Sequence, residues 1–135
     1  MNERLRYLLT KHEGLRLKPY LDIVGKITIG IGRNLDDKGI TEDEANFLFE
    51  NDVDEATIQV IKVFPNFHDW SINRQNALID MVFNMGITRF MGFKKMIAAI
   101  KNGDWVTAAA EMRDSKWAEQ LPRRVAELSI MVEKG

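Results

Sequence analysis

The sequence predicts a mostly helical α+β protein, in which a small β-hairpin lobe and a helical lobe are joined by one long helix. Three observations favour this class: a short alternating stretch with glycines near the N-terminus, an apolar helical pattern over residues 42–63, and helical patterns through the rest of the chain. We therefore expect a single domain over residues 1–135. Its small lobe is placed at residues 13–41, its connecting helix at 42–63, and its helical lobe at 1–12 and 64–135.

The first element is a helix over residues 3–12. Asn2 is a suitable N-cap, and leucines recur at helical spacing behind it. Gly14 is a typical stop. Glu13 is out of place, because an anion at the negative end of a helix dipole costs up to about 1 kcal/mol. A residue that goes against a local structural preference often marks a functional site. The alternative is an ordinary exposed Glu that tolerates this cost.

A β-hairpin follows the first helix. Residues 15–21 alternate in polarity, and Pro19 restricts them to a sheet edge. Residues 22–25 form a turn, and residues 26–32 form a second strand. Three isoleucines share one face of that strand, and the other face carries Thr28, Gly30 and Gly32. Because glycines present no side chains, a ligand can approach the backbone closely there, although glycines that merely mark bulges are the alternative.

The remainder is expected to be helical after a polar loop at residues 33–39. The sequence T-E-D-E at 41–44 is a capping box that opens the long helix, and Pro65 follows the helix end. Shorter helices are then predicted behind Ser71, at 89–91, at 93–101, at 105–113, at 115–120 and from Pro122 onward.

Composition excludes several classes of function. The net charge is −1, which argues against a general nucleic-acid binder. The chain has no cysteine and only two histidines, so we expect no disulfide, no metal site and no cofactor. No apolar run reaches the roughly 18 residues of a membrane span, and the charged N-terminus does not look like a signal peptide. We expect a monomer that is made in a cytoplasm and does not insert stably into membranes.

Two carboxylates and a hydroxyl lie close together in sequence at Glu13, Asp22 and Thr28. Hydrolysis of a glycosidic bond uses one protonated carboxyl as general acid and a second carboxylate as base or nucleophile. Glu13 at a helix end backed by a helical core is suited to the acid, and Asp22 in a polar turn is suited to the ionised partner. The spacing alone is weak evidence, because it occurs by chance in many proteins.

The residues around these groups make the pattern specific. The string E-G-x-R-L-x-x-Y-x-D-x-x-G-x-x-T-I-G-I-G at 13–32 resembles the signature of the bacteriophage-type lysozymes, particularly those of large tailed phages. Further similarity lies in I-T-E-D-E-A at 40–45, F-x-x-D-V-D at 49–54, M-V-F-N-M-G at 81–86 and S-K-W-x-x-Q-x-P-x-R at 115–124. The resemblance therefore covers nearly the whole chain in one order, and it implies a lysozyme-like fold.

This resemblance implies a muramidase that acts on the glycan strands of bacterial peptidoglycan. Glu13 matches the general acid of the family, and Asp22 with Thr28 matches the residues that position the attacking water. The family inverts the anomeric centre, which requires carboxyl groups about 6.5–9.5 Å apart. The expected biological role is lysis of a host cell, at the periplasmic wall after release from the cytoplasm.

Other matches concern the surroundings of the acid. Gly32, Phe83 and Asn84 correspond to residues that line the cleft of the family. Arg124 corresponds to an arginine that pairs with the catalytic Glu, which would favour the ionised form and oppose the acid role. Asp80 stands where the resemblance suggests an Asn, so it is either a counterweight to Arg124 beside Glu13 or a solvated helix position.

The chain also departs from the family. Arg33 replaces a histidine, and we expect it to pair with Asp52. The loop at residues 33–39 is shorter than in the nearest relatives, as if a strand-and-helix segment of the small lobe were missing, and this leaves the number of bound sugars open. Two alternatives are kept: a catalytically weak or inactive lysozyme-fold protein that binds peptidoglycan or has a structural role, and an unrelated helical adaptor.

Overall fold

The structure is a computed structural model that describes all of residues 1–135. It confirms the mostly helical α+β class, with nine α-helices and one small sheet. The chain divides into two compact units, Met1–Phe47 and Leu48–Gly135, which are described separately below. In chain order the elements are α1 Glu3–Glu13, β1 Arg16–Leu21, β2 Ile27–Gly30, β3 Arg33–Asn34, α2 Leu35–Lys38, α3 Glu42–Val63, a 3-10 turn Phe67–Asp69, α4 Ile72–Met85, α5 Ile87–Phe90, α6 Lys94–Lys101, α7 Trp105–Arg113, α8 Lys116–Gln120 and α9 Pro122–Lys134.

The sheet of the first unit is antiparallel with the order β1-β2-β3. Strand β1, which contains Pro19, lies at an edge as predicted. Tyr20 pairs with Thr28 across β1 and β2, and Thr28 pairs with Asn34 across β2 and β3. The register therefore places Thr28 in the central strand, with a neighbour on each side.

Residues 31–39 differ from the prediction. Strand β2 ends at Gly30 instead of residue 32, because residues 31–32 turn the chain into the short strand β3. The predicted polar loop is in fact β3 followed by the one-turn helix α2. Asn34 caps that turn by accepting a hydrogen bond from the Asp37 backbone N–H at 3.0 Å, and Gly39 ends it. The polar residues predicted a loop, although they include a helix N-cap and a glycine suited to a helix C-terminus.

Helix α3 begins and ends at the predicted residues, and its capping box is confirmed. The Thr41 backbone N–H donates to Glu44 Oε1 at 2.9 Å, and the Glu44 N–H donates to Thr41 Oγ1 at 3.1 Å. The helix ends at Val63, two residues before Pro65, since a residue that precedes a proline disfavours helical backbone. The role of α3 as a connector between lobes stays a prediction.

The second unit is an all-helical bundle around one apolar core. Helix α9 packs against α4, α7 and α8. The predicted start behind Ser71 is confirmed, because Ser71 accepts a hydrogen bond from a backbone N–H in the first turn. Asp104 and Ser115 cap the starts of α7 and α8 in the same way. The largest fully buried side chains include Trp117, Phe64, Phe90, Leu78, Met81 and Met96. No helix in the chain combines the length and apolar character that crossing a bilayer requires.

Candidate functional site

Glu13 is the last residue of α1, and its side chain lies against the backbone of Gly32. A Cβ built on Gly32 would lie 2.7 Å from Glu13 Oε2 and 2.9 Å from Cδ. A Cβ atom essentially never lies this close to another atom, so a side chain at residue 32 would force the Glu13 side chain to shift. At Gly32 the group that approaches the backbone is Glu13 itself, and the approach of a ligand to the glycine face stays a prediction. Shielding of Glu13 by the helical core stays a prediction, since that core belongs to the other unit.

Asp22 lies in the turn between β1 and β2, where its two carboxylate oxygens differ. Oδ1 accepts hydrogen bonds from the backbone N–H groups of Val24 and Lys26, both at 2.9 Å. This is the Asx-turn arrangement, in which an aspartate binds the backbone that follows it. Oδ2 accepts no hydrogen bond from the chain, so it is free to bind water or substrate.

Thr28 is linked to Asp22 through one peptide group. The Lys26 carbonyl accepts the Thr28 hydroxyl proton at 3.0 Å and the Asp22 backbone N–H at 2.9 Å. Because a hydroxyl has a single proton, Thr28 Oγ1 retains only acceptor capacity. Thr28 is 4% exposed, so its orientation is set by packing as well as by this hydrogen bond. The structure thus joins Asp22 and Thr28 into one hydrogen-bonded arrangement.

A second group of predicted residues lies on α4 and α9 in the other unit. Asp80 occupies one face of α4, and Arg124 on α9 binds it through two nitrogens: Nε and Nη2 are each 2.8 Å from Asp80 Oδ1. Both side chains are a little over one third exposed, at 39% and 38%. Asp80 is therefore the partner of Arg124 and neutralises its charge. The influence of Asp80 on Glu13 stays a prediction. The pairing of Arg124 with Glu13 stays a prediction, since the two residues belong to different units.

Phe83 and Asn84 follow Asp80 by three and four positions, so all three lie on the same side of α4. Phe83 is 41% exposed, contacts Phe49 edge to face with ring centroids 5.8 Å apart, and lines a pocket of about 270 Å³ within the second unit. Asn84 Oδ1 accepts the indole N–H of the buried Trp117 at 2.9 Å. The Asn84 amide nitrogen is left to donate to a ligand. The sequence analysis did not predict this hydrogen bond.

Arg33 pairs with Glu44 and not with the predicted Asp52. The Arg33 guanidinium binds both oxygens of Glu44, at 2.8 Å to Oε1 and 2.7 Å to Oε2. This hydrogen bond, followed by those from Thr41, lowers the pKa of Glu44 to about 2. The same interaction raises the pKa of Arg33. Asp52 was a poor choice because Glu44 is already fixed by the capping box, which was visible in the sequence.

Two further carboxylates that the sequence analysis did not single out lie beside the hairpin. Asp36 Oδ2 accepts the Ile27 backbone N–H at 2.7 Å, and Asp37 Oδ1 binds Lys26 Nζ at 3.1 Å. Both belong to α2, which was predicted as plain loop. The signal for a capped turn was the sequence N-L-D-D-K-G at 34–39, in which an asparagine precedes two aspartates and a glycine follows them. No group of three or more His, Cys, Asp or Glu side chains is placed to hold a metal ion.

Comparison with known proteins adds an independent line of evidence. The family model described as phage lysozyme matches residues 10–130. Probable T4-type lysozyme 1 of Dictyostelium discoideum is 32% identical over 165 residues, which cover 100% of this chain and 96% of that protein. The endolysin of Acyrthosiphon pisum secondary endosymbiont phage 1 is 30% identical over 126 residues, with 88% and 80% covered. The pre-baseplate central spike protein Gp5 of Enterobacteria phage T4 is 30% identical over 162 residues, but the chain spans only 28% of its length.

Proposed function

The chain belongs to the phage lysozyme family, and from that premise we propose that it is a muramidase, which hydrolyses the β-1,4 bond between N-acetylmuramic acid and N-acetylglucosamine in bacterial peptidoglycan. The similarity to a T4-type lysozyme and to an endolysin supports a glycoside hydrolase of this type. The single observation that carries the proposal is the arrangement of Asp22 and Thr28 around the Lys26 peptide. It leaves two unused acceptors beside a hairpin whose end contacts a second carboxylate, Glu13.

The two carboxyl groups have different roles in the proposed reaction. Glu13, in its protonated form, gives its proton to the glycosidic oxygen that leaves with N-acetylglucosamine as the bond from that oxygen to the anomeric carbon breaks. A water molecule forms the new bond to that carbon and passes a proton to Asp22. Proton exchange with solvent then restores Glu13 and Asp22 to their starting forms.

The geometry of the hairpin suits the handling of this water. Asp22 Oδ2 and Thr28 Oγ1 can each accept one hydrogen bond from this water. Asp22 Oδ1 and the Thr28 hydroxyl proton are already used in hydrogen bonds within the chain. A water that donates both protons keeps its lone pairs free for attack. An inverting outcome is therefore our expectation, together with a separation of about 6.5–9.5 Å between the two carboxyl groups.

The second unit supplies the proposed substrate contacts. Phe83 offers a partly exposed ring beside a pocket. Asn84 offers its side-chain N–H₂ group, and the oxygen of the same amide is held in place by the Trp117 indole N–H. Such a pairing of an apolar face with an oriented polar group is typical of carbohydrate and other ligand sites. Arg124 with Asp80 forms a neutral pair near these residues along α4.

The test is the release of new reducing ends from purified peptidoglycan, together with clearing of Gram-negative cells stripped of their outer membrane. We expect wild type to clear the suspension, and Glu13→Gln and Asp22→Asn to lose at least about 100-fold in rate. Glu3→Gln on the same helix and Asp43→Asn at the start of α3 are matched controls that should remain active. NMR of the first product should show inversion. An inactive wild type, or active Glu13→Gln, would overturn the muramidase proposal.

Host-cell lysis at the periplasmic wall is the biological role that we propose for this activity. When the chain is expressed in bacteria, cultures should lyse only after the inner membrane is opened by chloroform. The similarity to a central spike protein favours a second candidate, a structural or peptidoglycan-binding role without catalysis. That candidate predicts sedimentation with purified peptidoglycan and no release of reducing ends.

A further inference from the structure

The peptide segment Lys26–Ile27, at the start of β2, is held by three carboxylates. Asp22 Oδ1 accepts the Lys26 backbone N–H at 2.9 Å, and Asp36 Oδ2 accepts the Ile27 backbone N–H at 2.7 Å. Asp37 Oδ1 binds the Lys26 ammonium at 3.1 Å. The proposed reaction uses Asp22, but it leaves the two carboxylates of α2 without a role.

The shortness of β3 explains why Asp36 is placed there. Strand β3 ends at Asn34, which pairs with Thr28, so Ile27, the residue of β2 that precedes Thr28, has no strand neighbour on that side. Asp36 fills this position and accepts the N–H of Ile27 that a longer β3 would have bound. A charged acceptor makes this hydrogen bond shorter and stronger than the backbone bond it replaces.

Helix α2 is itself fixed, so its carboxylates are held in place before substrate binds. Asn34 accepts the Asp37 backbone N–H at 3.0 Å, and the Asn34 side-chain amide donates to Asp37 Oδ2 at 3.0 Å. Asp37 thus has one oxygen on Asn34 and the other on Lys26.

We propose that Asp36 and Asp37 are positioning residues for the hydrolysis, which act through Lys26 and Ile27. This inference rests on the proposed function. The Lys26 carbonyl orients the Thr28 hydroxyl and the Asp22 backbone, so a shift of this peptide would displace both acceptors of the attacking water. Asp36 has the larger share, because it binds the backbone amide of the peptide directly, whereas Asp37 acts only through the flexible Lys26 side chain.

The expected effect is on turnover and not on binding. Displacement of catalytic groups by about 1 Å can cost up to about 100-fold in rate, and we expect Asp36→Ala to lower kcat about 10-fold with KM unchanged. Asp36→Asn keeps an oxygen that can accept the Ile27 N–H, so it should retain kcat within about threefold of wild type. Asp37→Ala should lower kcat only about twofold to threefold.

The experiment measures kcat and KM on soluble peptidoglycan fragments, at a temperature well below each Tm, with Asp43→Asn as the matched acidic control. Exchange of the Ile27 amide proton, followed by NMR, reports directly on the hydrogen bond and should be faster in Asp36→Ala only. If Asp36→Ala does not fold, Asp36→Ser, which also cannot reach the Ile27 N–H, replaces it under the same criteria.

The outcomes separate this inference from the proposed function. A 10-fold loss of kcat with constant KM in Asp36→Ala, restored in Asp36→Asn, supports the positioning role. Active wild type with an unchanged kcat in Asp36→Ala, or with a loss equal to that of Asp43→Asn, overturns this inference alone. A lower Tm with unchanged kcat shows a structural role only and also overturns it. An inactive wild type overturns the proposed function and this inference together.

Discussion

Replacement of Gly32 by alanine is the most direct test of how the hairpin holds the proposed acid. Gly32 has φ of +71°, and a Cβ there would lie 2.7, 2.9 and 3.0 Å from Oε2, Cδ and Cγ of Glu13. Ordinary contacts begin at about 3.4 Å, so the Glu13 side chain must move by several tenths of an ångström or change rotamer. Its carboxyl oxygen lies nearest the new methyl group, so the proton donor is displaced most.

Gly30 provides a matched control. Its φ is +69°, but a Cβ at that position meets no atom within 4 Å. Both alanine variants therefore bear the strain of left-handed backbone, about 1–2 kcal/mol, which corresponds to a fall in Tm of roughly 3–10 °C. Only Gly32→Ala should also displace Glu13. We expect it to lose about 10-fold to 100-fold in kcat, while Gly30→Ala stays within about threefold of wild type.

The assay is the release of reducing ends at a temperature where both variants are folded, with Tm measured by calorimetry. Equal loss of stability with unequal loss of kcat would show that the contact with Glu13, and not the backbone strain, governs activity. If Gly32→Ala turns over as fast as Gly30→Ala, then the position of Glu13 against Gly32 does not matter for the reaction. The role assigned to Gly32 would then be wrong.

Three further predictions concern stability. Glu44→Gln should lower Tm at pH 7, but the difference from wild type should shrink as the pH falls from about 4.5, the ordinary value, through the native pKa of about 2, because the depressed pKa stabilises the fold only while Glu44 is ionised. A difference that is as large at pH 2 as at pH 7 would contradict this. Trp117→Phe should lower the free energy of unfolding, measured by urea titration, by about 2 kcal/mol, because it removes buried ring volume and the hydrogen bond to Asn84. A loss below about 0.5 kcal/mol would show that neither the ring volume nor the hydrogen bond contributes as expected. Asp80→Asn should change the free energy of unfolding by less than about 1 kcal/mol, since the pair with Arg124 is partly exposed, and a loss above about 2 kcal/mol would show that solvent does not screen the pair.

Local signals in the sequence were sufficient for most of the helices. Asn2 and Ser71 cap helices as predicted, because an N-cap acts on backbone N–H groups only a few residues away. Ser115, which was placed inside a helix at 115–120, is also an N-cap. The capping box at the start of α3 is of the same kind. Such signals need no tertiary information, so they can be interpreted from one sequence.

Partners that lie far apart in sequence were harder to predict. The pairing of Arg124 with Asp80 joins two helices that are 44 residues apart, and the bond from Trp117 to Asn84 spans 33 residues. Many acceptors in the sequence were available to each donor, and no preference of nearby residues selects one of them. The Arg33 partner was wrong for the opposite reason: the resemblance to a family favoured a distant residue, whereas Glu44, only 11 positions away, was already oriented by Thr41.

In the hairpin, the groups of the proposed chemistry lie within a single short stretch of sequence. Asp22, Lys26 and Thr28 lie within seven residues of one another, and Asp22 forms an Asx turn with the backbone that leads to Thr28. Asp22 Oδ1 and the Thr28 proton are satisfied within the chain, which leaves one acceptor on each side chain. Two acceptors and no spare donor are suited to a water that must keep its lone pairs free. The local structure that forms the turn is thus the same structure that we propose orients the nucleophile.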